Sequence, residues 1–155
     1  MAADQGIKIV EKGGTHYLSG ELNEYADLSS LLSQPGPLVL NMRDVSRLNS
    51  IGIRNLLKFL ADWGTKTITY DECPCEFIDQ INMIPALLGT KQHATIKSLF
   101  VPYECRKCEH EDEVLGPVDD FVSETDGGST HVRKCPNCGE DMTVLTDSFF
   151  VFLSR

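Results

Sequence analysis

From the amino end, apolar positions first recur every second residue. "IKIVEKGG" and "THYLSG" therefore predict two short strands joined at Gly13-Gly14, the turn chemistry of a β-hairpin. The period then changes. In "ELNEYADLSSLL", Leu22, Tyr25, Leu28, Leu31 and Leu32 recur at three and four, predicting one face of an amphipathic helix. Pro35–Pro37 break the chain, and "PLVLNM" follows as a nearly continuous apolar run, the pattern of a buried strand. Ile53, Leu56, Leu57, Leu60 and Trp63 mark a second helical face, with Ser50 standing where an N-cap belongs. "TKTITY" predicts a β-branched strand, and "DECP" a turn whose Pro74 suits the first position of a helix. That helix carries Phe77, Ile78, Ile81, Ile84, Leu87 and Leu88, with Pro85 as its kink or early end, and "TIKSLFVPY" reads as a last strand. A hairpin followed by alternating helices and strands predicts an α/β fold, a mixed sheet with helices packed against it.

After Tyr103 the periodicity lapses. Acidic and turn residues dominate between two C-x-x-C pairs, Cys105/Cys108 and Cys135/Cys138, separated by 26 residues. The pattern divides the chain into residues 1–102, the α/β domain, and 103–155, a small β-rich ribbon. Two thiolates three positions apart grip one metal ion from a tight turn, and a second such turn completes a tetrahedron. Cys105, Cys108, Cys135 and Cys138 are thus the expected metal ligands. Zn2+ is the expected ion, and an iron site of the same ligand set is the alternative. Four cysteines leave no open position for substrate, so the expected role is structural, stapling a module too small to fold alone. His110 and His131 read as surface histidines, and Cys73 and Cys75 as loop and helix-start residues; a redox role is the alternative for that pair.

Charge refines this division. Residues 1–99 hold nine Lys/Arg against eleven Asp/Glu, a net of -2, whereas residues 100–155 hold five against twelve, a net of -7. An acidic C-terminal third repels a phosphate backbone, which counts against nucleic acid as a partner. No apolar run approaches the roughly 18 residues of a membrane span. "MAADQGIKIV" lacks a basic start followed by an apolar stretch, so the expected compartment is the cytoplasm. The apolar run "SFFVFL", Ser148 to Leu153, must find cover, by packing back within the chain or, as the alternative, in a homodimer.

One longer stretch carries a resemblance. "PLVLNMRDVSRLNSIGIRNLLKFL" resembles the signature of STAS domains, known from bacterial anti-sigma factor antagonists and sulfate-transporter tails. In that family a buried strand ends in a short loop, and an Asp-Ser-Ser-Gly-like stretch opens a helix. Leu38–Leu40 match the strand, Asp44 and Val45 the loop, then Ser50, Gly52 and the helix from Ile53 to Leu60. "YLSGELNEYADLSSLL" is similar to the family's second strand and first helix, and "KTITYDECP" and "KSLFVPY" fall where its last two strands belong. The resemblance spans residues 6 to 102.

It implies a bacterial signalling protein of the antagonist type, a non-enzymatic module that docks a protein partner, among which a kinase-type regulator is implied. The expected contact residues are Arg43, Arg47, Asn49, Ser50 and Arg54. The phospho-accepting serine of the family lies immediately before the glycine, where this chain has Ile51; Asn49 replaces the acidic residue. The usual switch is therefore expected to be missing, with Ser50 acting as helix cap. The alternatives are an antagonist phosphorylated at Ser50 by a serine kinase, and a zinc-ribbon subunit of an enzyme or nucleic-acid-binding complex.

Overall fold

A computed structural model describes residues 6–89, 93–121, 133–145 and 149–154. The amino-terminal hairpin forms as its pattern predicts. β1 (Ile7–Lys12) and β2 (Thr15–Leu22) pair antiparallel, with Lys12 opposite Thr15 and both turn glycines at positive φ. β3 (Leu38–Leu48), β4 (Ile68–Asp71) and β5 (Ala94–Ile96) then add in order, each parallel to the one before, giving a mixed five-stranded sheet β1-β2-β3-β4-β5. Parallel neighbours in chain order, joined by crossovers of one hand, bring every connection to the same face of the sheet. Those connections are a 3-10 turn (Ser29–Ser33), α1 (Ser50–Trp63), and α2 (Cys75–Met83) followed by a second 3-10 turn (Pro85–Leu88). α1 touches both 3-10 turns, as a single layer requires.

The covered face follows the two-residue period. Leu18, Leu22, Leu38, Leu40, Met42, Ile68 and Tyr70 are buried beneath Ile53, Leu56, Leu60, Phe77, Ile78 and Ile81. Tyr70 donates its hydroxyl to the Leu87 carbonyl at 2.8 Å, so its one polar atom is satisfied inside the core. On the opposite face Tyr17 and Thr95 are exposed. Among the described residues no helix is long and apolar enough to cross a membrane.

Four expectations are corrected. The helix expected over residues 22–32 is absent: β2 runs on to Leu22, and only Ser29–Ser33 turn, in 3-10 geometry. The cause is local. Asn23 Oδ1 accepts from the Tyr25 amide, and Asp27 Oδ1 accepts from both the amide and the hydroxyl of Ser29. Such side-chain turns offer the backbone an alternative to helix. Ser50 is not the cap of α1; Asn49 is, with extended backbone and its Oδ1 accepting from the Gly52 amide at 2.8 Å. Pro74 likewise sits one place earlier than expected, as the residue before α2.

The last strand is in fact two. After β5 the chain breaks at Lys97 and continues as β6 (Ser98–Cys105), which joins a second, antiparallel sheet of order β7-β6-β9-β8, with β7 Glu111–Pro117, β8 Arg133–Lys134 and β9 Asp141–Val144. A polar corner fixes the handover: the Ser98 hydroxyl bonds the Asp71 carboxylate and also accepts from the Glu72 amide. The 102/103 boundary read from composition falls inside β6. The Cys75 thiol donates to the Phe100 carbonyl and the Asn82 amide to the Phe149 carbonyl, so α2 belongs to both parts. Of the apolar C-terminal run, Phe149 and Phe152 are buried and their rings cluster with Phe150. The chain covers them itself, while Ser148 lies outside the described residues.

Candidate functional site

The four cysteines converge. Cys105 ends β6 and Cys108 follows in the turn toward β7; Cys135 and Cys138 occupy the turn between β8 and β9. The two turns repeat one backbone device. Cys105 N–H donates to the His110 carbonyl and Glu109 N–H to the Cys105 carbonyl; Cys135 N–H donates to Glu140 and Gly139 N–H to Cys135. Each turn thus closes on itself and holds its two sulfurs on one side. Both need a left-handed residue after the second cysteine, and they use Glu109 (φ 63°) and Gly139 (φ 83°).

All four Sγ atoms lie within 4.8 Å of one another, with Cys105–Cys138 at 3.5 Å and Cys108–Cys135 at 3.6 Å. A tetrahedral metal with 2.3 Å bonds to sulfur has edges of about 3.8 Å. The cluster therefore has the shape and donor set to hold one metal ion. Asn137 contributes what the residue pattern did not mark: its backbone amide donates to Cys135 Sγ and its side-chain amide to Cys108 Sγ, each at 3.4 Å. That side-chain bond, with the His110 backbone next, draws the Cys108 thiol down to about 6, favouring the metal-binding thiolate. Cys138, although the Glu140 amide favours its thiolate, is pushed up to about 12 by desolvation and the three neighbouring sulfurs. A dication among them reverses that repulsion. The His110 ring is not in the cluster, and His131 lies outside the described residues.

No family model, curated protein or solved structure matches this chain.

The β3–α1 junction is the second site. Asn49, Ser50, Ile51 and Arg54 are exposed on the first turn of α1, and Arg47 is exposed at the end of β3 opposite Glu21. Arg43 stands apart, paired with Glu72 at 3.7 Å and placed over the Phe100 ring at 5.7 Å. Two residues join the junction that no sequence signal marks. Glu24 accepts from the Asn49 side-chain amide at 3.1 Å, and these contacts, its own backbone amide first and Asn49 second, hold its carboxyl below the usual range. Tyr25, next to it, is 55% exposed, and Ile51 is 44% exposed. A glycine is required at position 52, because a Cβ there would overlap the Leu22 carbonyl. This close approach, with Asn49 N–H donating to Leu22 O at 3.1 Å, seats the start of α1 directly on the end of β2.

Cys73 and Cys75 occupy the loop and helix start expected of them. Cys73 is fully buried, and burial holds its thiol well above the usual range; desolvation first, then Glu113, pushes Cys75 up to about 12. Protonated thiols are poor nucleophiles, which weighs against a redox role for the pair.

Proposed function

We propose that this chain is a non-enzymatic protein-interaction module of the anti-sigma factor antagonist type: a STAS-like domain with a structural Zn2+ site, acting in the cytoplasm of a bacterium by docking a signalling protein. The observation that carries the reading is the β3–α1 junction, where two exposed apolar side chains, Tyr25 and Ile51, stand among Arg47, Arg54 and Glu24. Apolar anchors within a charged rim are the anatomy of a docking surface. The hairpin, the buried strand entering a helix through a Gly-bearing turn, and β4 keep the order on which the STAS resemblance rests. Two departures stand beside them: a 3-10 turn replaces its first helix, and Ser98–Tyr103, read as part of its last strand, belongs to β6 of the second sheet, while β5 (Ala94–Ile96) takes that place in the first. Zn2+ suits the metal site because four sulfurs complete a tetrahedron and leave no position for substrate.

Docking in this reading is constitutive rather than switched by phosphate. Asn49 already takes the Gly52 amide in the first turn of α1, and the Glu24 carboxylate beside it repels a second anion. The test uses metal-loaded protein as bait in lysate of its source with Mg-ATP, comparing the native chain with an Ile51→Asp/Arg54→Glu variant. A protein captured by the native chain and lost with the variant, with Ser50 unmodified, is the expected result. Equal capture by both refutes the surface, and phosphate on Ser50 refutes the constitutive reading.

A further inference from the structure

The two cysteine turns hold each other by more than a shared ion. In each, the residue two places after the first cysteine sends its side chain across to the other turn. From the first, the Lys107 ammonium reaches the Glu140 carboxylate at 3.9 Å. From the second, the Asn137 side-chain amide reaches the Cys108 sulfur at 3.4 Å. The lysine contact joins two exposed side chains in water and contributes little. The asparagine contact ends on a ligand.

Asn137 also donates its backbone amide to the sulfur of Cys135 in its own turn. One residue therefore feeds two N–H groups to two sulfurs on opposite turns, and those sulfurs lie 3.6 Å apart. It spans one of the edges along which the turns must meet for all four sulfurs to share an ion. The charge makes such a donor useful. Four thiolates around one dication leave excess negative charge, in a third of the chain that already carries a net of -7. A neutral N–H draws off part of a thiolate's charge and fixes its direction, leaving its other lone pairs for the metal.

We propose that Asn137 is a positioning residue of the metal centre: its side-chain amide clasps Cys108 from the opposite turn and sets how tightly the ion is retained. This role rests on the reading of the four cysteines as a Zn2+ site. Partners of this outer kind change metal affinity by about ten- to a hundredfold, and a single amide at an exposed position belongs at the lower end.

The test loads the full chain with Zn2+, and separately with Co2+, under reducing conditions. It compares the native protein with Asn137→Ala, which removes the donor, and Asn137→Asp, which keeps the shape but turns the donor into an acceptor. Position 137 is exposed, so neither substitution disturbs the core. Competition with a chelator reads Zn2+ retention, and the sulfur-to-cobalt charge-transfer absorption reads the electron density on the ligands. Both variants should lose Zn2+ about tenfold more readily. Their cobalt bands should move to longer wavelength, because a sulfur relieved of its hydrogen bond gives up charge to the metal at lower energy. Equal retention by all three chains overturns the proposal. Native-like retention by Asn137→Asp beside a loss in Asn137→Ala, or a loss with neither band displaced, also overturns it, since packing alone would then account for Asn137. A native chain that takes up no Co2+ in tetrahedral form fails in a different place: it removes the metal reading itself, and the clasp with it.

Discussion

Replacing Gly52 by alanine sets two physical effects against each other, and the sign of the result decides between them. By helix propensity alone the change stabilises α1 by about 1 kcal/mol, because glycine is the worse helix former. The packing opposes it. A Cβ at position 52 would overlap both the carbonyl oxygen and carbon of Leu22 and press on the Asn23 amide, all backbone atoms that no rotamer change can move. The start of α1 must retreat, and forcing one extra methyl group into a packed contact costs about 1–3 kcal/mol. Retreat also removes the Asn49 N–H to Leu22 O bond, worth about 1 kcal/mol more. The net expectation is a loss of about 1–3 kcal/mol, which for a chain of this size lowers Tm by about 2–12 °C. Urea and thermal unfolding of the metal-loaded protein, followed by circular dichroism, measure it. A Tm unchanged or raised would refute the close approach of α1 to β2, and with it the geometry that presents Ile51 and Arg54.

Four other outcomes are expected. Asn49→Ala should cost about 1 kcal/mol in urea unfolding, while Ser50→Ala, one place inside the helix, should stay within a few tenths; the reverse ranking would make Ser50 the cap. Glu109→Gly should leave stability unchanged or raise it by up to about 1 kcal/mol because φ there is left-handed, whereas Gly139→Ala should lower it by about 1–2 kcal/mol, both read from chemical denaturation. Stripping the metal with a chelator, or Cys135→Ser, should abolish the one-to-one metal content seen by native mass spectrometry and broaden amide signals of β6–β9 while those of β1–β3 persist. The carboxyl of Asp79 is raised on folding, so its contribution to stability is full below its unfolded value and lost as pH rises through its folded one. Asp79→Asn should therefore unfold at higher temperature than the native chain at pH 7 and at the same temperature below about pH 2.5, where the native carboxyl is protonated in both states.

What the residue pattern makes legible is what local chemistry decides. Gly13-Gly14 permits only a tight turn, Ile53 to Trp63 has one apolar stripe, and two C-x-x-C turns can close around one ion without help from elsewhere in the fold. The misreadings all involve competition. Asn49 and Ser50 are both good caps, and the choice falls to Asn49 because β3 stays paired with β2 as far as Leu48, leaving residue 49 extended and residue 50 already helical. The stripe at Leu22, Leu28 and Leu31 is real burial but not helix, since Asn23 and Asp27 spend their side chains on turns. Arg43 and Arg47 look equivalent in sequence, yet Glu72, beyond the end of a neighbouring strand, claims only the first. The break at Lys97 is present in the sequence but concealed: the inward positions are Ala94 and Ile96 before it and Leu99, Val101 and Tyr103 after it, a change of parity across Lys97-Ser98 that an apolar run hides when read as one strand.

β6 has a practical corollary for handling the molecule. A shortened chain ending at residue 102, the natural cut by composition, would stop in the middle of a strand, stripping Tyr103 and Cys105 from the sheet and Phe149 from the side of α2. The mirror-image fragment, starting at 103, would keep all four sulfurs but lose the half of β6 that anchors them to a core. Neither piece is a natural unit of expression. The ribbon behaves less like a bead on a string than like the fletching on an arrow, whose shaft is the run from Ala94 to Cys105.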